Sequence, residues 1–243
     1  MIYILSFMKT LVISDIHNKI NIVQKILDKE SCADEVIFLG DWFDDFNDGI
    51  NDVVNVAKFL NSIYTEKKFK FVWGNHDLYY PPFRNFHLCS GGFSADKQIC
   101  IEATIDPKVW EQFNFCYFTQ NFLLSHAGTT SKHDWLFEKN KFDLSKFNEV
   151  ILDAEKHLYT KQSHFMFRAG FSRGGMLPVG GITWCDFHKD FEPYENLNQI
   201  FGHTIVNEPS FVYDHNSINL CLDTNLQHYA IINDSQIEIH NVS

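Results

Sequence analysis

Two rhythms of hydrophobic and polar positions alternate along the first half of the chain. Thr10–Ser14 is a short β-branched and apolar run ending at Asp15, which predicts a buried strand. Lys19–Lys29 carries apolar residues at 20, 22, 23, 26 and 27, a helical spacing. Val36–Leu39 predicts a second strand, ending at Gly40-Asp41. Ile50–Ile63 again has apolar residues at helical spacing. Phe69–Trp73 predicts a third strand, ending at Gly74-Asn75, and Phe122–Ser125 a fourth, ending at His126. Strands alternating with helices imply parallel pairing through crossover helices. Each of these strands ends in a residue able to bind a metal. Ligands in open α/β sheets bind beyond the carboxyl ends of strands, so the four ends are expected to converge.

The rhythm changes in the second half. Residues 78–103 and 129–199 interrupt it with Pro81-Pro82, Gly91-Gly92, Gly174-Gly175 and Gly180-Gly181. Leu144–Leu158 predicts a helix inside the second interruption. The tail predicts short strands at Gln199–Phe201, Phe211–Tyr213, Ile218–Leu222, Tyr229–Ile232 and Gln236–Ile239. Asp214–Ser217 and Asn233–Ser235 have the residue types of hairpin turns. No internal repeat or clean linker divides the chain. One domain over residues 1–243 is expected, with about 129–199 as an insertion or cap.

Composition narrows the partners. Hydrophobic residues at 45% and charged residues at 21% are those of a globular protein. The 24 phenylalanines predict an aromatic-rich core, with a nucleobase platform as the alternative. A net charge of −11 disfavours broad binding to nucleic-acid backbone, which needs basic surface. A small phosphorylated substrate stays open, because bound cations would reverse the local field. Six scattered cysteines form no CxxC pair, which fits reduced thiols and a cytoplasmic location. The apolar start at residues 1–7 is too short for a membrane span and lacks a basic leader, so it is expected to be an N-terminal extension.

Five motifs carry candidate chemistry: Asp15-Ile16-His17, Gly40-Asp41-Trp42-Phe43-Asp44, Gly74-Asn75-His76-Asp77, Ser125-His126-Ala127-Gly128 and Gly202-His203-Thr204. Taken singly, the second motif runs into the acidic segment Asp44-Asp45-Phe46-Asn47-Asp48, for which a solvated turn is the alternative reading, and a lone histidine is more often a hydrogen-bonded structural residue than a ligand. Together they offer carboxylates, three imidazoles and one amide. That mixture suits Mn²⁺, Fe²⁺, Zn²⁺ or Mg²⁺, and the lack of cysteine argues against a closed structural zinc site.

In this set and order the motifs resemble the calcineurin-like metallophosphoesterases, within the branch of serine/threonine protein phosphatases and symmetrical dinucleoside tetraphosphatases. Leu222-Asp223-Thr224 is similar to a strand that follows the last motif in the protein phosphatases. The resemblance spans about residues 10–225. It implies a four-layer α/β/β/α sandwich and hydrolysis of phosphate esters by a hydroxide bridging two divalent ions, with Mn²⁺ the expected metal. It implies that Asp15, His17 and Asp41 hold one ion, and that Asp41, Asn75, His126 and His203 hold the other. It further implies His76 as the general acid and Asp44 as the carboxylate that orients it.

One position departs from the family pattern. The protein phosphatases follow the second motif with a phosphate-gripping Arg, and here that residue is Asp45. Arg173 is the expected replacement, ahead of Arg168 and Arg84, and it lies in a stretch similar to phage and bacterial members of the family. A surface arginine is the alternative for all three. The expected substrate is a phosphoprotein or a nucleotide. A serine/threonine-phosphatase-like phosphomonoesterase is the leading expectation, and a dinucleoside-polyphosphate or nucleotide hydrolase is its rival. A catalytically inactive interaction module on the same fold would be expected to have lost ligands, yet all six positions are filled.

Overall fold

A computed structural model describes residues 8–45, 47–83, 91–133, 141–214 and 216–243. The first sheet holds six strands. Its centre is β1 (Lys9–Ile13), β2 (Glu35–Phe38) and β3 (Phe69–Val72), which are parallel neighbours. The helices α1 (Ile20–Lys29) and α2 (Ile50–Ile63) make the crossovers between them. Beyond β3 lies the two-residue β4 (Phe113–Asn114). Beyond β1 lie β10 (His228–Asn233) and β11 (Gln236–Asn241), both antiparallel to their neighbours. The second sheet runs in the order β5 (Cys116–Thr119), β6 (Phe122–Ser125), β7 (Asn198–Phe201), β9 (Ser217–Cys221) and β8 (Ser210–Asp214).

Alternation along the strands explains how the layers stack. On β1, Leu11 and Ile13 share an apolar cluster with Val23 and Ile26 of α1 and Val53, Val56 and Leu60 of α2. Val12, between them, points to the other face. It joins Ile37, Leu39 and Val72 with Phe122, Leu124, Ile200, Leu220 and Leu222 from the second sheet. Both faces of β1 are therefore dry, as a central strand with a continuous apolar run requires. On β6, Leu123 faces away from the other sheet and joins the cluster that includes Phe147, Ile151, Ala154 and Leu158 of α4 (Leu144–Tyr159). The result is the expected α/β/β/α order. The phenylalanines serve this core: Phe38, Phe43, Phe71, Phe115, Phe122 and Phe147 are fully buried. Truncating one such ring to Ala costs about 3–5 kcal/mol.

The fourth strand, Phe122–Ser125, forms as expected and pairs in parallel, with β7 in the second sheet. The stretch 78–103 includes most of a helix, α3 (Ala95–Thr104), capped by Ser94, whose Oγ accepts from Lys97 N–H at 3.2 Å. That helix was not expected: its buried face carries Lys97 and Gln98 beside Ile101, whereas Ile99 is 63% exposed. β4 and β5 were not expected either, one being two residues long and the other an edge strand with Phe118 turned outward. The turn at Asn233–Ser235 closes the β10–β11 hairpin, with Asp234 and Ser235 at positive φ as a two-residue hairpin turn needs. The turn at Asp214–Ser217 and the extension at 1–7 involve residues outside those described. No helix among the described residues is long and apolar enough to cross a membrane.

Candidate dinuclear metal site

The five motifs meet at one end of the two sheets. Asp15 and His17 follow β1, Asp41 follows β2, Asn75 follows β3, His126 follows β6 and His203 follows β7. The loops are tied to each other before any ligand is added. The N–H groups of Ile16 and His17 donate to Asp41 O at 3.0 and 2.8 Å, and Asn18 N–H donates to Trp42 O at 3.0 Å. Asp77 binds the second loop to the third, accepting from Trp42 N–H at 2.8 Å and Gly74 N–H at 3.0 Å. Gly202 N–H donates to His126 O at 2.6 Å, and His203 N–H donates to both oxygens of Asp15. Two glycines are required by this crowding: a Cβ on Gly74 would strike Asp41, and one on Gly202 would strike Asp15. His17, Asn18, Asp41, Asp44 and His203 all take positive φ. Each such residue costs about 1–3 kcal/mol and persists only where its surroundings hold it.

Two groups of ligand atoms result. Asp15, His17 and Asp41 form one, and Asp41, His126 and His203 the other, with the atoms of each group within 4.8 Å of one another. Asp41 belongs to both. Asn75 Oδ1 lies 2.9 Å from His126 Nε2, beside the second group.

The residue pattern of this centre has a match among protein families: the model for calcineurin-like phosphoesterases matches residues 8–207. The chain belongs to the calcineurin-like phosphoesterase family. It is a metal-dependent phosphoesterase. The cold-active protein tyrosine phosphatase of the psychrophile Shewanella sp. shares the fold, with a TM-score of 0.62 at 14% identity over 98% of this chain and 78% of that one. A second structure of cold-active protein tyrosine phosphatase, at 1.1 Å, gives a TM-score of 0.61 at 14% identity over 96% and 79% of the two chains. No curated protein matches the chain significantly in sequence.

The donor chemistry fits the cations of a calcineurin-like phosphoesterase. His126 Nδ1 lies 2.9 Å from Leu39 O, a pure acceptor, so Nδ1 carries the hydrogen and Nε2 presents a lone pair. That lone pair faces Asn75 Oδ1 at 2.9 Å and Asp41 Oδ2 at 3.4 Å, which are acceptors too. Acceptors converging on one point call for a positive charge between them. His17 is set in the same way: Nδ1 donates to Asp44 O at 2.6 Å and Nε2 points inward, 3.7 Å from Asp41 Oδ2. Bonding one imidazole nitrogen to a carbonyl so that the other can ligate is the usual arrangement at metal sites.

Charges at the centre agree. Burial opposes ionisation of Asp41, yet positive charge facing it from the side of His126, His76, His17 and His203 holds its carboxyl well below the usual range, a charge that bound cations would supply where those imidazoles are neutral. Burial, with the neighbouring His126 and Arg173, keeps His203 neutral and so able to ligate. Burial and the charge of Asp15 push Asp223 up to about 8.

His76 lies beside Asn75. Its Nδ1 is 3.3 Å from Asp44 Oδ2, and its N–H donates to Asp41 Oδ1 at 2.9 Å. Burial alone would lower its pKa, but the charges of Asp41 and Asp44 win and raise it to about 9. Arg173 ends the single turn Phe171–Arg173. Its Nε is 2.8 Å from Asp186 Oδ2, and Nη2 donates to Thr204 Oγ1 at 2.8 Å, next to His203. Arg168 is half-buried and accepts from Gly181 N–H through its carbonyl. Arg84 lies outside the described residues. Asp45 pairs with Lys19 at 3.4 Å. Sequence reasoning missed Tyr80, Lys97, Asp48 and Asp186, all of which hold residues of the site. No motif marks them, although Asp48 closes the acidic segment that reads as a turn and Asp186 fell in the stretch that carries Arg173.

Proposed function

We propose that the chain is a dinuclear phosphomonoesterase of the serine/threonine-phosphatase-like kind. Asp15, His17 and Asp41 would hold one divalent ion, and Asp41, Asn75, His126 and His203 the other, with Mn²⁺ as the expected metal. The observation that supports this most is the sharing of Asp41 between two groups of ligand atoms. Two ions so held supply Lewis acidity and lower the pKa of water. The remaining work falls to the chain itself. Asp44 orients His76 through Nδ1, leaving Nε2 to give a proton to the departing ester oxygen. Arg173, braced by Asp186 and Thr204, keeps further N–H groups for phosphate oxygens. The cap at about 129–199 carries this arginine on what is otherwise one domain in a cytoplasmic protein.

A substrate panel on Mn²⁺-loaded protein tests the reading. It compares phosphopeptides, 5′-nucleotides, cyclic nucleotides and diadenosine tetraphosphate. Phosphomonoesters are expected to turn over fastest. Preference for diadenosine tetraphosphate or a cyclic nucleotide would replace the monoesterase reading, and no turnover of any substrate at full metal loading would leave only an inactive module.

A further inference from the structure

We propose that Lys97 is a positioning residue for proton transfer by His76, acting through the carboxylate of Asp44. The proposal rests on the reading of His76 as general acid. Asp44 lies deep beside the site, with its side chain 1% exposed. Its Oδ1 accepts two hydrogen bonds, from Tyr80 Oη–H at 2.6 Å and from Lys97 Nζ at 3.2 Å. Two donors from separate segments on one oxygen fix the rotation of the carboxylate. The other oxygen, Oδ2, is thereby aimed at His76 Nδ1.

Lys97 is held as firmly as the group it holds. Its three N–H bonds go to Asp44 Oδ1, to Asp48 Oδ1 at 2.5 Å and to Gly92 O at 2.7 Å. An ammonium has three donors, so none is left over. Asp48 in turn accepts from Asn18 Nδ2 at 2.8 Å, and Asn18 is the residue after His17. The loop before α3 presses on Asp44 as well. Gly92 has φ +90°, and a Cβ there would come within 2.8 Å of Asp44 Cβ. An ordinary surface ion pair would be wet, whereas the Lys97, Asp44 and Asp48 side chains are 9%, 1% and 5% exposed. Without the ammonium, two buried carboxylates lose the cation they share. Asp44 then has reason to turn away from His76. A misplacement of about 1 Å can cost about 10²-fold in rate.

The test uses the full chain, metal-replete, with Lys97→Gln, Lys97→Arg, His76→Asn and the double variant Lys97→Gln/His76→Asn. The values of kcat and KM are measured on phenyl phosphate and on p-nitrophenyl phosphate, beside metal content. Phenolate is a poor leaving group that needs a proton, whereas p-nitrophenolate needs little. Lys97→Gln is expected to lower kcat on phenyl phosphate by about 10–100-fold and far less on p-nitrophenyl phosphate. KM and metal content should hold, and Lys97→Arg should recover part of the rate. Adding Lys97→Gln to His76→Asn should cost nothing further. An equal loss on both substrates, or a full additional loss in the double variant, would overturn the proposal. A leaving-group effect in His76→Asn without one in Lys97→Gln would overturn the proposal alone. Its absence in His76→Asn would overturn the general-acid reading and the proposal together. Should Lys97→Gln not fold, Lys97→Met/Asp48→Asn removes both opposite charges at once and carries the same comparison.

Discussion

Asp41 has almost no contact with solvent and stands ionised among four imidazoles. Asp41→Asn keeps the shape and removes that charge from the point the two ligand groups share. Metal content and kcat are both expected to fall. The rate loss should exceed the roughly 10–100-fold that follows loss of a ligand's own hydrogen-bond partner. Elemental analysis beside kcat checks this, with His76→Asn as the comparison that should keep its metal. At this scale the sequence disclosed one kind of residue and hid another. Asp15, Asn75 and His203 were legible because they sit in short motifs at strand ends, where chemistry dictates residue type. Lys97 and Tyr80 were not. Each reaches Asp44 across a fold that brings positions 44, 80 and 97 together, and a lone lysine in a polar stretch looks like any solvated one.

Helix α1 is joined to two strands by one carboxylate. Glu30, at its C-terminal cap, takes Lys9 Nζ from β1 at 2.8 Å and Tyr229 Oη–H from β10 at 2.6 Å. Burial opposes the charge of Glu30, but those two bonds win and lower its pKa below the ordinary 4.5. A depressed folded-state value means the stabilisation is present above about 4.5 and is lost as pH falls through the folded value. Glu30→Gln should therefore lower the thermal midpoint at neutral pH and flatten its decline on the acid side. Melts taken between neutral pH and about pH 3 read this out, and a parallel downward shift at every pH would contradict it. The element pattern itself was legible where burial follows hydrophobicity. α2 runs from Ile50 to Ile63 as its apolar spacing predicts, and the β10–β11 hairpin turns where Asn233–Ser235 says it should. α3 was illegible for the opposite reason: its inward face carries Lys97 and Gln98, chosen for the polar network they complete.

Cations should stabilise the whole molecule, because converging acceptors repel one another without them. At free metal about 100-fold above Kd the gain is about 2.7 kcal/mol, or roughly 5–10 °C in thermal midpoint for a chain of this size. Scanning calorimetry with Mn²⁺ and with chelator measures it, and identical midpoints would argue against metal binding to the folded state. Four of the six candidate ligands, Asp15, His17, Asp41 and Asn75, follow strands of the first sheet. His126 and His203 follow strands of the second, and His126 reaches across to Leu39 O. The reacting centre is thus a seam. Its two halves hang on separate layers that meet across Val12, Ile37, Phe122, Leu124 and Ile200. A slip between the layers would leave each sheet's own pairing intact and still pull the site apart, so turnover in this enzyme works as a gauge of how well its two layers stay aligned.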